Sequence, residues 1–111
     1  MAHLSHSDLR AAITKGIAAI DALAATVADG SFGSYHYVVE CQGFYVNIVH
    51  GVPHMVGVCS AQRFHLARAR SVAASIVNGN SQHGNAIDLA LALNIERTHL
   101  LVILADIPEE G

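Results

Sequence analysis

Leu9, Ile13, Ile20, Leu23 and Val27, with Gly16 completing the series, recur at spacings of four and three. That spacing sets them on one side of a helix. A start signal precedes them: Ser5 and Asp8 form a capping box, with Leu4 and Leu9 at the positions of a hydrophobic staple. Gly30 supplies the stop as the residue after the C-cap. A helix of roughly 24 residues, about 36 Å long, is predicted.

The period then changes to two. Tyr35, Tyr37, Val39 and Cys41 alternate with His36, Val38, Glu40 and Gln42, and beyond Gly43 the alternation resumes through Phe44, Val46 and Ile48. A hairpin turning at Gln42-Gly43 would set Cys41 opposite Phe44, Val39 opposite Val46 and Tyr37 opposite Ile48. Its apolar face would be Tyr37, Val39, Val46 and Ile48; the other face mixes Val38, Glu40, Tyr45 and Asn47. Gly51-Val52-Pro53 reads as the next turn and His54 to Cys59 as a third strand.

Ser60 reads as the cap of a second helix from about Ala61 to Val77, with Leu66, Ala69, Val72, Ala73, Ile76 and Val77 on one arc. After the polar loop Asn78 to Gly84, Asn85 and Asp88 read as another cap, opening a short helix to about Ile95. Thr98 to Ile107, rich in leucine and β-branched residues and stopped by Pro108, reads as a buried strand, with helix as the alternative. The fold class is therefore α+β in one domain, residues 1–111: a long N-terminal helix, a three-stranded antiparallel meander, two helices and a C-terminal strand. The first five elements resemble double-stranded-RNA-binding domains in order alone. The second helix has no basic N-terminal cluster, and Arg63, Arg68 and Arg70 do not form one stripe.

Composition changes the picture in one respect. Apolar residues make up 52% of the 111 residues and charged ones only 14%, against about 25% charged in ordinary globular chains. A monomer of this size hides about two-thirds of its unfolded surface, so the excess points to a subunit interface. The first helix can be written as a heptad seam, Ile13, Ile20 and Val27 alternating with Leu9, Gly16 and Leu23. Branched residues at one core position and leucine at the other suit paired helices. These six residues are the expected oligomer interface.

Charge narrows the partners. A net charge of −3 argues against phosphate backbones and anionic membranes. The longest unbroken apolar run, Leu100 to Ala105, is far short of the roughly 20 residues a bilayer requires. No secretory signal is read at the start, and Cys41 and Cys59 make no CxxC, so a reducing, cytoplasmic setting is expected.

Candidate chemistry is sparse. Of eight histidines, His50 and His54 flank a turn but acquire no third ligand, so no metal is expected, and no cofactor motif is present. His65 falls within the apolar arc of the second helix, where a buried imidazole needs a partner or stays neutral. Cys59, just ahead of that helix, has the better claim to an activated thiol. The pattern points to a homo-oligomeric binding or regulatory protein without a catalytic motif. The competing reading is a small-molecule-binding protein or enzyme with a pocket between sheet and helices lined by His65, Glu40, Tyr45 and Asn47. A nucleic-acid-associated module comes third, on element order alone.

Overall fold

The computed structural model describes residues 5–76 and 84–108. Helix α1, His6–Ala28, starts where its cap is written: the Ser5 hydroxyl accepts from the Asp8 amide at 3.0 Å. Leu4, the other half of the staple, lies outside the described residues. Gly30 follows the C-cap with φ +80°, a conformation that costs a side-chain-bearing residue free energy.

Strands β1 (Tyr37–Cys41), β2 (Phe44–Val49) and β3 (Val52–Val56) form the meander. The first hairpin has the expected register, Cys41 opposite Phe44 and Glu40 opposite Tyr45. Gln42 and Gly43 both have positive φ, 53° and 85°, the backbone of a type I′ turn. The second hairpin differs from expectation by one step. Its turn is His50-Gly51, with φ 52° and 77°, and Val52 and Pro53 already belong to β3, paired with Val49 and Ile48. Pro53 is tolerated because β3 is an edge strand.

Three further corrections follow from tertiary pairing. The second helix, α2, spans only Leu66–Ser75. Residues ahead of it are drawn to the sheet: a 3₁₀ turn covers Val58–Ser60, the Gln62 amide donates to the Val46 carbonyl, and Phe64 exchanges two backbone bonds with Tyr37. Of the expected cap pair only Asp88 serves as a cap: Asn85–Asp88 form a fourth strand, β4, antiparallel to β1, and the helix starts after it. The C-terminal strand over Thr98 to Ile107 does not form; that segment continues α3, Leu89–Asp106. Asp88 caps α3, its carboxylate accepting from the Ala90 amide at 2.8 Å. Once nucleated there, the Leu- and Ala-rich segment propagates as helix despite its β-branched residues.

The sheet order is β3-β2-β1-β4, antiparallel throughout, with helices on both faces. Val39 and Val46 are fully buried with Phe64, Ala69, Val72 and Ala73 beneath α2. Val38 and Tyr45 face the other way and are buried with Ile20, Leu89, Ala92 and Leu93 beneath α1 and α3. The sheet thus has two cores, each fully buried side chain adding about 1.5–3 kcal/mol of transfer free energy. Gly84 enters β4 where a Cβ would lie 2.9 Å from Val39 Cγ1 and 3.3 Å from the Glu40 carbonyl, so only glycine fits without displacing β1. Arg10 of α1 donates to the Ile107 carbonyl, placing a positive charge at the end of α3, where the helix dipole favours one.

Candidate functional site

The mixed face of the hairpin becomes one wall of a cavity. Glu40 on β1 and Tyr45 on β2 meet Asn85 and Ile87 on β4 and Ile95, Glu96 and His99 on α3 around a space of about 480 Å³. The alternation that put Glu40 and Tyr45 on one side of the hairpin is the reason both point there. Spacing of three and four on α3 brings Ile95, Glu96 and His99 to the opposite wall.

The polar groups are tied together. The Tyr45 hydroxyl donates to Glu96 Oε2 at 3.0 Å, and His99 Nδ1 lies 3.7 Å from Glu96 Oε1. Glu40 accepts from the Gly43 amide at 2.9 Å and from the Asn85 side-chain amide at 3.2 Å. Burial, then the hydrogen bond to Glu96 and the charges of Glu96 and Glu40, push the Tyr45 phenol far above its ordinary pKa. It is a hydrogen-bond donor in this site and no base.

Asn47 and His65 do not join it. Asn47, paired with His54 on β3, is half-buried and does not line the cavity. His65 is not in an apolar arc: because α2 starts at Leu66, it occupies the N-cap position and is exposed. Its Nδ1 lies 2.9 Å from the Ser34 hydroxyl, and its ring packs against Tyr35 at a tilt of 45° with the ring centroids 3.7 Å apart. His36 meets the other oxygen of Asp88 at 3.1 Å, orienting the cap of α3. Cys59 sits on the 3₁₀ turn, away from the α2 N-terminus, and partial burial pushes its thiol up, contrary to an activated nucleophile. Arg63, ahead of α2, lies over the Phe32 ring at 3.9 Å and shares no helix side with Arg70. Among the described residues no group of three or more His, Cys, Asp or Glu converges in metal-binding geometry. Val77, the expected end of the second helix, and all of the polar loop but Gly84 lie outside the described residues.

The heptad seam is occupied within the chain. Ile13 and Ile20 are buried, and Leu9, Gly16, Leu23 and Val27 are half-buried; a methyl group at Gly16 would touch Leu100 of α3 at 3.4 Å. Among the described residues α1, not the Leu100 to Ala105 run, is the one helix long and apolar enough to cross a bilayer by length and composition; here its branched side packs on α3. The large exposed apolar side chains lie elsewhere. On α3 it is Leu91, Ile95, Leu101, Val102 and Ile103, and on the sheet Phe44, Val49, Val52 and Met55. Sequence reasoning missed Glu96 and His99 because the third helix was expected to stop at Ile95. The i, i+3 pair of a carboxylate and an imidazole was the available signal. No protein-family model, curated protein or solved structure matches the chain.

Proposed function

We propose that the protein is a cytoplasmic homo-oligomeric binding protein without a catalytic step of its own, whose copies meet through the outward face of α3. One observation carries the reading. Leu91, Thr98 and Val102 recur at helical spacing on the side of α3 away from the core, Ile95 borders them at the rim of the cavity, and Leu91 and Val102 are 52% and 58% exposed. The charges of α3 lie off this stripe or at its end: Glu96 turns to Tyr45, Arg97 pairs with Asp21 at 2.8 Å, and Asp106 is the last residue. A charge-free apolar stripe is favourably buried against the same stripe of a second copy, as a twofold contact requires. Cys41, buried in the sheet as a small hydrophobe, suits a reducing compartment. With acidic residues outnumbering basic ones and Arg63 stacked on Phe32, duplex nucleic acid is not among the partners proposed.

Mass measured by light scattering across micromolar concentrations tests the assembly. The wild type is expected as a dimer or larger, and the double variant Leu91→Asp, Val102→Asp as a monomer with an unchanged circular dichroism spectrum. A wild-type chain that stays monomeric throughout overturns the reading.

A further inference from the structure

We infer that the cavity between the sheet and α3 is a binding site for a small organic cation, of which an aliphatic diammonium ion is the simplest form. Every residue needed comes from one chain and Ile95 alone borders the proposed contact between copies, so the site does not rest on the assembly.

Charge sets the class of ligand. Glu40 and Glu96 line the cavity, and no lysine or arginine does. His99, the imidazole in the lining, lies 3.7 Å from Glu96 Oε1, beyond hydrogen-bond distance; the hydrogen-bond partners of the two carboxylates, the Gly43 amide, the Asn85 amide and the Tyr45 hydroxyl, are neutral donors. They orient the carboxylates without cancelling their charge, and each carboxylate keeps lone pairs for further donors. An anion would meet two like charges across a space partly shielded from solvent, whereas an ammonium group would make charge-assisted hydrogen bonds to both walls.

Size and lining separate an organic cation from a bare metal ion. A space of about 480 Å³ lies within the range of small-molecule sites, and the acidic and imidazole groups around it do not converge as metal ligands. Ile87 and Ile95 supply apolar wall to the same space as the carboxylates, a surface that suits methylene groups rather than water. Tyr45, 1% exposed and hydrogen-bonded to Glu96, fixes the carboxylate on the α3 wall in place before any ligand arrives.

Putrescine is the probe, with butanediol and succinate as neutral and anionic controls of similar length, titrated into isotopically labelled full-length protein and followed by amide chemical shifts. Saturable shifts confined to Glu40, Tyr45, Ile87, Glu96, His99 and their neighbours are expected with putrescine alone. Glu96→Gln retains an acceptor for Tyr45 and is expected to weaken binding roughly tenfold, the loss of one charged contact. Glu40→Gln together with Glu96→Gln is expected to abolish it. The proposal is overturned if putrescine causes no shifts up to millimolar concentration, or if butanediol or succinate shifts the same amides equally. Should the double variant not fold, the wild-type comparison of the three probes decides alone. A monomer by light scattering that still binds putrescine would remove the assembly and keep the site, and an oligomer indifferent to putrescine would do the reverse.

Discussion

Tyr45 shows how one side chain serves both packing and polarity. Its ring fills the core beneath α1 and α3 while its hydroxyl reaches Glu96. Burial is the main reason its pKa is raised, and the two carboxylates add to it. The folded state therefore holds the phenol proton after the unfolded chain has released its own, near pH 10. Stability from this group is intact below that value and falls as pH rises toward the folded pKa. The slope is at most about 1.4 kcal/mol per pH unit, less to the extent that solvent entering the cavity screens the hydroxyl. Denaturant midpoints measured from pH 8 to 11 should show this alkaline loss in the wild type. In Tyr45→Phe the loss should flatten, on top of a uniform destabilisation of about 1 kcal/mol from the missing hydrogen bond. An alkaline limb identical in the two proteins would mean that Tyr45 ionises like an exposed tyrosine.

Among the elements, α1 and the first hairpin were legible, and the second turn and the segments after it were less so, for a physical reason. Register in β1 and β2 is written twice, in alternation and in the Gln42-Gly43 turn, and a one-residue slip would expose Val39 and Val46. Strand β4 is four residues long and ends on a helix cap, so local signals favoured the helix, while its strand character comes from pairing with β1. The start of α2 was misplaced for the same reason, since Gln62 and Phe64 bond to the sheet. Glu40 and Tyr45 could be placed on one face from alternation, but Glu96 and His99 depended on knowing that α3 continues past Ile95. The second turn yields a prediction of its own. His50 carries a side chain at φ 52° beside Gly51, where asparagine is the residue a type I′ turn prefers. His50→Asn should raise stability by about 0.5–1 kcal/mol, read as a thermal midpoint a few degrees higher. A lower midpoint would show that the imidazole contributes more than the strain it carries.

At the scale of the whole molecule, the low charge content is accommodated in two places. Part of it serves strands β1 and β2, covered on both faces, which bury Val38 and Tyr45 as well as Val39 and Val46; part is left exposed, on the outside of α3 and at Phe44, Val49, Val52 and Met55 of the sheet. The heptad seam of α1 belongs to the first place, since Ile20 packs with Val38, Tyr45, Leu89 and Leu93. Two variants separate these roles. Ile20→Asp would bury an unpaired carboxylate in that cluster, a cost of several kcal/mol, comparable to much of the stability of a small domain. Leu91→Asp places the same charge in water and should leave the fold within about 0.5 kcal/mol of the wild type. Thermal melts followed by circular dichroism should therefore show Ile20→Asp unfolded or strongly destabilised at every protein concentration. Leu91→Asp should melt as the wild type does at high dilution and lose only the part of its stability that grows with concentration, because that part comes from association. If Ile20→Asp instead remains folded and merely becomes monomeric, the seam of α1 is the contact between copies and the packing of α1 on α3 is looser than its buried isoleucines require.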